Sequence, residues 1–518
     1  MHFQHPIRCL RRFSCANWRH KELLVATAGP KIHLFDAKTG LELFSWPSNF
    51  DLVISKAVSP SNGTAGGGEH EPPEKRRKVS SVQIEEASEK SGDSKSVSSE
   101  TRKSTEPSWT SIPILVVTKK GDHVIAVTAE DKCVRVFEIS QDGKLSQLTE
   151  RPMPKRPCAI TLAGNDSTIL VGDKFGDVYA LPLLSTDKPA QPAKKKSDNP
   201  KTFQPSASTL TVHTQRNRRA LEQQLRQIGT KITEKSVPTF EKTLLLGHVS
   251  MLTDVAFVSL PSETGTSRDY ILTSDRDEHI RLSRGPPQSY VIEGYCQGHT
   301  SFVSKLCVPR WDPKTLISGG GDNFILVWDW LDRRIRQKVD LNREDNQSDS
   351  VAREVTVAGI WAVPLDGHPE LHDKGHGVVL VALEGSPRLL SFVFDNDRRL
   401  LPLSPYQLQG NVLDVTSIDG TCQLLISTDN VHEPGSTRTR RSTPPVPQRM
   451  LNALTLSTSP SGLKWEECSS PAVDVINEHG TSQIQVSGNE KDDLKQAGTI
   501  AQSLYGLGDL RKRGREDD

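Results

Sequence analysis

Three histidines recur at every fourth position of one segment, namely His368, His372 and His376. On an α-helix this spacing would align the three imidazoles on one face, where they could bind a metal ion such as zinc. Pro369 and the glycines around it would interrupt any helix there. We therefore predict that these histidines lie in a solvent-exposed loop between two strands rather than in a metal site.

Other signatures of catalysis or cofactor binding are missing from the sequence. The phosphate loop G-x-x-x-x-G-K-[ST], the nucleophile elbow G-x-S-x-G and the zinc-protease motif H-E-x-x-H do not occur. The eight cysteines include no C-x-x-C pair, so neither a zinc site nor a disulfide framework is indicated. We expect no catalytic residue, no cofactor and no metal, and interpret the chain as a binding protein rather than an enzyme.

Composition restricts the class of protein further. The 65 Lys+Arg residues nearly balance the 64 Asp+Glu residues, so the chain is not a globally basic nucleic-acid binder. No run of about 18 apolar residues is present, and we expect no membrane-spanning helix. Only 35% of the residues are hydrophobic, against about 45–50% apolar residues in typical globular domains. Part of the chain is therefore expected to stay unpacked.

Seven segments repeat one pattern, in which alternating apolar residues flank a turn of Gly, Asp or Asn. This pattern predicts β-hairpins. They begin at Leu23, Val124, Thr168, Tyr270, Thr315, Val378 and Gln423, the last continuing from Leu451. Seven hairpins over roughly 335 folded residues give about 48 residues per unit, close to a four-stranded propeller blade. We predict an all-β fold, a seven-bladed β-propeller with long disordered inserts and a disordered tail.

Segments poor in apolar residues set the predicted boundaries. A first blade region over 1–55 precedes a disordered insert with a basic run over 56–111. Blades two and three follow over 112–184, and then a basic insert with a short helix over 185–241. The remaining predicted segments are blades four to seven at 242–430, a disordered loop at 431–449, closing strands at 450–467 and a disordered tail at 468–518.

The fifth hairpin unit carries the strongest motif, which runs from Gly298 to Trp330. It resembles the WD-repeat family, with a GH pair, a strand, S-x-x-x-D and then WD. The resemblance implies a buried network of His299, Ser318, Asp322 and Trp328. Such a network is structural, because the ring N–H groups inside a packed blade need hydrogen-bond partners.

The fourth unit keeps only part of this motif. By position it has His248, Thr273 and Asp277, but Ser283 stands where the tryptophan would be. The first and second units retain less. One good match and several degraded ones predict the same architecture and define the blade boundaries less well.

Two further segments carry a more specific resemblance. GDKFGDVYALPL (Gly172–Leu183) and the segment Leu244–Arg284, which contains SDRDEHIR, resemble the non-catalytic WD-repeat subunit of the eukaryotic, fungal-like tRNA (guanine-N7)-methyltransferase. The resemblance implies a heterodimer with a separate S-adenosylmethionine-dependent methyltransferase. That enzyme forms 7-methylguanosine in the variable loop of tRNA, and the WD subunit stabilises it and meets tRNA through the complex.

The resemblance also implies where the methyltransferase binds, namely at the SDRDEHIR hairpin. We carry this contact onto Glu278 and Arg281, with Arg276 as a third candidate, and expect Asp277 to be used inside the blade. A hairpin that carries both acidic and basic side chains can form ion pairs with complementary charges on a partner protein. The hypothesis is that Arg281→Glu weakens partner binding without unfolding the propeller. An ordinary solvated hairpin is the alternative interpretation.

Basic segments outside the hairpins suggest location and RNA contact. The runs Glu74–Val79 and Leu510–Glu516 have the form of nuclear import signals. A solvated charge run without such a role is the alternative for each, and the resemblance favours the nucleus. The segment His213–Lys235 carries an apolar stripe at helical spacing, so we predict a short helix. That helix could pack on the propeller or contact RNA phosphates.

Two rival functions remain open from the sequence. The first is a WD-repeat adaptor scaffold in a ubiquitin-ligase or chromatin complex, which would use the same fold without RNA. The second is a propeller hydrolase, for which no converging acid and base residues are found.

Overall fold

The structure is a computed structural model. It describes residues 3–48, 107–184, 214–219, 221–222, 240–261, 265, 267–341, 354–365, 376–418, 423–445, 448–460, 462–484 and 498–512. Nearly all of these residues belong to one compact unit, Met1–Trp46 with Ser108–Asp518. A second unit, Pro47–Pro107, is described only at Pro47, Ser48 and Pro107.

The first three blades are sheets of four consecutive antiparallel strands. Nearly continuous apolar and β-branched residues, as in Cys133–Ile139, favour strands that bury residues on both faces. The twelve strands are β1 Ile7–Cys15, β2 Lys21–Ala28, β3 Lys31–Asp36, β4 Glu42–Trp46, β5 Ile114–Val117, β6 His123–Val127, β7 Cys133–Ile139, β8 Leu145–Pro152, β9 Pro157–Ala163, β10 Thr168–Asp173, β11 Asp177–Pro182 and β12 Thr243–Gly247.

The last four blades repeat the arrangement, and the sixth has one additional short strand, β25, that pairs with β23. Their strands are β13 Leu252–Pro261, β14 Ser267–Asp275, β15 Ile280–Arg284, β16 Ile292–Cys296, β17 Val303–Cys307, β18 Thr315–Gly320, β19 Phe324–Asp329, β20 Arg334–Asp340, β21 Val357–Pro364, β22 Gly377–Leu383, β23 Arg388–Phe394, β24 Leu400–Pro402, β25 Tyr406–Gln407, β26 Val412–Ser417, β27 Gln423–Thr428, β28 Leu451–Ser459 and β29 Gly462–Glu467.

Neighbouring blades share apolar cores. Among the described residues, seven clusters each join two adjacent sheets, and together they run around the whole ring. The first strand of each blade lies innermost, beside the first strand of the next blade. The predicted seven-bladed β-propeller is confirmed, and all seven predicted hairpins are strand pairs two and three of their blades.

The ring closes between blades seven and one without exchange of a strand in the described part of the chain. The Leu10 amide donates to Asp414 Oδ2 at 2.8 Å and the Arg12 amide donates to Thr416 Oγ1 at 3.2 Å. The apolar cluster at this seam includes residues of a helix that follows blade seven, α1 Pro471–His479. Closure therefore depends on side chains and on chain segments outside the blades.

The segment 468–518, for which the composition predicts a disordered tail, differs where the structure describes it, at 468–484 and 498–512. Besides α1 it contains helical residues 498–504 and a connection that reaches 512. Residues 498–512 are called the C-terminal strap below. Ile500 packs in a small buried cluster with Phe3, Val431 and Ile484. Because a few well-spaced apolar residues fasten this polar segment, its mean composition is a poor guide to its order.

The segment 431–449, predicted as a disordered loop, also differs where it is described. Val431 and His432 are fully buried, and His432 forms a β-bridge with Arg440. Asn411 receives a hydrogen bond from the Gly435 amide at 2.8 Å and donates one to the Ser436 carbonyl at 2.8 Å. These local hydrogen bonds give the loop a fixed course despite its low apolar content.

Several other predicted features lie wholly or partly outside the described residues. The basic run 74–79 and His368 and His372 lie outside them, and His376 is described immediately before β22. Of the predicted helix at 213–235, residues 215–219 and 221–222 are helical. Leu221 is buried, whereas the described arginines of this segment are exposed. The rest of that predicted helix lies outside the described residues.

Candidate functional site

The four residues implied by the WD motif meet inside blade five. His299 Nδ1 lies 2.7 Å from Asp322 Oδ2, and His299 Nε2 lies 2.7 Å from Ser318 Oγ. Trp328 Nε1 donates to Ser318 Oγ at 2.8 Å. All four residues are buried. β18 positions the serine, β19 positions the tryptophan, and the turn between these strands positions the aspartate.

Donor and acceptor roles in this network form one chain. The indole N–H can only donate, so Ser318 Oγ accepts from Trp328, and in the tautomer protonated at Nδ1 alone the Ser318 hydroxyl donates to His299 Nε2. The carboxylate of Asp322 then accepts from Nδ1. Burial alone would raise the pKa of Asp322, but hydrogen bonds from His299 and Thr300 hold it below its ordinary value. Every group of this network is therefore satisfied within the blade, as a structural element requires.

Blade four has a related network with a different aspartate. His248 Nε2 lies 2.7 Å from Thr273 Oγ1, and its Nδ1 lies 3.2 Å from Asp275 Oδ2. The prediction that Asp277 fills this role does not match the structure. Asp275 Oδ1 also accepts the Asp277 amide at 2.9 Å, so the carboxylate at the end of β14 stabilises the turn that follows it. The Asp277 side chain is 43% exposed instead.

The candidate contacts Arg276 and Glu278 lie in the turn between β14 and β15. Glu278 has a φ of 74°, which places it at the tip in a left-handed conformation. Its side chain is 38% exposed, and its Oε1 lies 3.4 Å from Lys512 Nζ. Arg276 Nε donates to the Leu510 carbonyl at 2.8 Å. Both residues are partly buried, and both side chains contact the C-terminal strap.

The third candidate, Arg281, is placed differently. It is only 7% exposed. Its Nε donates to Ser283 Oγ at 2.9 Å and its Nη1 donates to the Gly247 carbonyl at 2.9 Å. Ser283, which occupies the tryptophan position of the WD motif, leaves room for this guanidinium. Arg281 thus links blades three and four, and the structure does not bring it to the exposed turn beside Glu278.

Tyr295 is a candidate that the sequence reasoning missed. It lies opposite Arg281 in the register of β15 and β16 and is 41% exposed. Its ring centroid lies 6.1 Å from that of His279, with the two rings nearly perpendicular. An exposed aromatic side chain beside charged residues is typical of binding surfaces. The strand pairing that brings Tyr295 to the hairpin could not be read from its own segment, VIEGYC.

One group among the described residues has the composition of a metal site, namely Asp131, Cys133 and Glu150. Arg135 already supplies the positive charge there, with Nη2 at 2.8 Å from Asp131 and 2.9 Å from Glu150. Burial raises the pKa of the Cys133 thiol to about 12, which disfavours the thiolate that a metal needs. We interpret the group as an ion-paired part of blade two.

Among the helices of the described residues, none combines the length and the apolar character needed to cross a bilayer.

Comparison with known proteins identifies the family. Residues 24–454 match the family described as the tRNA methyltransferase TRM82 WD40 domain. The chain belongs to the TRM82 family. This TRM82-family chain is 48% identical to the protein named tRNA (guanine-N(7)-)-methyltransferase non-catalytic subunit TRM82 of Coccidioides immitis, with 100% of each chain covered. It is 46% identical to the protein of the same name of Aspergillus clavatus, covering 100% of this chain and 99% of that protein.

Among solved structures, the WD40 repeats of RRP9 are similar with a TM-score of 0.49 at 10% identity, covering 89% of this chain and 96% of that chain. The resemblance recognised on Gly172–Leu183 and Leu244–Arg284 is confirmed by membership of the TRM82 family.

Proposed function

We propose that this TRM82-family chain is the non-catalytic subunit of a tRNA (guanine-N7)-methyltransferase. It binds and stabilises a separate S-adenosylmethionine-dependent subunit, which forms 7-methylguanosine in the variable loop of tRNA. The observation that carries the proposal is the identity of 48% over the entire length of a relative named as that subunit. In the described blades, the His299 network and the Arg135 ion pairs are satisfied internally, as structural elements are.

The turn between β14 and β15 is the proposed contact with the catalytic subunit. The carboxylate of Asp275 holds this turn rigid, because it accepts hydrogen bonds from the amides of Asp277 and His279. A rigid turn that presents charged and aromatic side chains loses little conformational entropy on binding. Glu278 and Arg276 of the turn, together with Tyr295 of the neighbouring strand β16, are the side chains offered to a partner.

The assembly itself is tested by co-expression of the tagged chain with the methyltransferase subunit of the same organism. We expect the two polypeptides to purify at equal stoichiometry and tRNA methylation to require both. Mass spectrometry of material captured from cells gives the discriminating result. Recovery of ubiquitin-ligase or chromatin components without a methyltransferase would favour the adaptor function instead.

Charge reversal at the tip of the turn is expected to weaken assembly. Glu278→Lys should raise the Kd for the catalytic subunit by about tenfold, mainly through slower association, because it places like charges at the contact. Glu466→Lys in β29 is the matched control, since Glu466 is an exposed glutamate in a blade-seven strand. Surface plasmon resonance of both variants measures the difference. An equal effect of the two substitutions would remove Glu278 from the interface.

Direct contact with tRNA is a further part of the proposal. The arginines of the described helical segment, Arg216, Arg218 and Arg219, are exposed, whereas Leu221 is buried. They could neutralise backbone phosphates and release counterions. Replacing all three by alanine should weaken tRNA binding by the complex and make log Kd less dependent on log salt. An unchanged salt slope would instead favour a packing role for the segment.

A nuclear location also remains a proposal. Of the two basic runs, 74–79 lies outside the described residues. In the second run, Arg511 donates to the carbonyls of Gly321 at 2.8 Å and Val355 at 2.9 Å. Because this arginine is engaged in the fold, the first run is the better candidate for an import signal.

A further inference from the structure

The C-terminal strap follows one face of the ring and contacts the turns that join the second and third strands of four blades. In blade seven, Tyr505 donates to the carboxylate of Asp429 and accepts from Asn411 Nδ2 at 3.0 Å. In blade six, Glu384 accepts the amides of three consecutive strap residues, 506–508, at 2.6, 2.8 and 2.8 Å. These contacts fix the course of the strap toward blade five.

The strap then passes blade five and ends at blade four. Arg511 donates to the Gly321 carbonyl at 2.8 Å, in the turn of blade five. The Leu510 carbonyl accepts from Arg276 at 2.8 Å. Lys512 Nζ lies 3.2 Å from Asp277 Oδ1 and 3.4 Å from Glu278 Oε1. The last described residue of the strap therefore places a cation on the acidic side of the proposed contact turn.

The middle and the last residue of the strap are held very differently. In the middle, the Tyr505 hydroxyl donates to Asp429, whose side chain is fully buried. At the last described residue, the side chains of Lys512, Asp277 and Glu278 are 54%, 43% and 38% exposed. Exposed ion pairs are weak because water and salt screen them, whereas buried hydrogen bonds are not screened in this way. Lys512 can therefore leave the turn while the rest of the strap stays in place.

We propose that Lys512 is a built-in, displaceable occupant of the partner-binding turn, which a cationic side chain of the catalytic subunit replaces on Asp277 and Glu278. The inference rests on the proposed function, since it takes this turn as the contact. The kind of partner surface follows from the charges. A group that takes the place of a lysine between two carboxylates is a lysine or an arginine. The fixed strap holds Lys512 close to the site, so it competes at high effective concentration.

The test is the association rate of the catalytic subunit with the full-length chain carrying Lys512→Glu. Removal of the competing cation should accelerate association at low ionic strength by about two- to fivefold, the size expected for loss of an exposed pair. The difference should vanish at high salt. Slower association would overturn the proposal, because Lys512 would then contact the partner itself. An unchanged rate would overturn it as well.

Two comparisons make the result specific. Lys464→Glu makes the same lysine-to-glutamate change at an exposed position of blade seven. It should leave the association rate within error of that of the unmodified chain. In a Glu278→Gln background, Lys512→Glu should increase the association rate less than it does in the unmodified chain, because the effects of the two residues are coupled. Failure of the unmodified chain to bind the catalytic subunit would refute the proposed function. Normal binding without acceleration by Lys512→Glu would refute only the present inference.

Discussion

Trp328→Ala is expected to destabilise the propeller by about 3–5 kcal/mol, the range for truncation of a buried aromatic side chain. Trp328 is fully buried between blades four and five. Its removal leaves a cavity and also takes away the donor to Ser318 Oγ. Cavity formation and the disturbed polar chain act in the same direction, so this is among the most damaging single changes in the molecule.

Denaturant unfolding followed by tryptophan fluorescence and circular dichroism measures this effect. Trp18→Ala is the matched control, because Trp18 is only partly buried and its ring faces the Lys21 ammonium at 4.0 Å. We expect Trp18→Ala to lower the free energy of unfolding far less than Trp328→Ala does. If the two substitutions lowered the free energy of unfolding equally, the burial of Trp328 and its hydrogen bond in blade five would contribute no additional stability.

Arg281→Glu is expected to abolish partner binding by damaging the propeller first. The substituted carboxylate would face the Gly247 carbonyl that now accepts from the guanidinium. An unpaired buried charge typically costs about 3–5 kcal/mol. This expectation replaces the hypothesis that Arg281→Glu leaves the fold intact, because Arg281 is nearly buried between two blades.

The measurement pairs a thermal melt with co-purification of the catalytic subunit. Arg336→Glu serves as the control, since Arg336 is 36% exposed and pairs with Asp329 on the surface. A normal melting temperature for Arg281→Glu, together with lost co-purification, would restore Arg281 as a direct contact. A lowered melting temperature for Arg281→Glu alone supports the structural role.

The repeating part of the fold could be predicted from the sequence because each blade repeats the same local signals. Alternating apolar residues and turn residues define a hairpin within about 20 residues, and seven such hairpins specify a ring. The network of His299, Ser318, Asp322 and Trp328 could be predicted for the same reason, because these four residues follow the spacing of the WD motif.

Features that depend on tertiary contacts could not be predicted in this way. Asp275 and Asp277 lie two residues apart, and only the geometry of the turn decides which of them receives His248. The strap has a disordered composition, yet Tyr505 and the carboxylate of Glu384 fasten it to distant blades. Such contacts join residues 76 or more positions apart, and no local pattern reports them.

Closure of the ring by α1 and by side chains, without a shared strand, has a consequence for synthesis on the ribosome. The face of blade one that includes Ile7 and Leu10 packs against Met450, Leu451 and α1. A nascent chain must therefore carry this uncovered apolar face through translation of more than 400 further residues. During that time it is open to aggregation or to chaperone binding, and only the emergence of α1 ends the exposure.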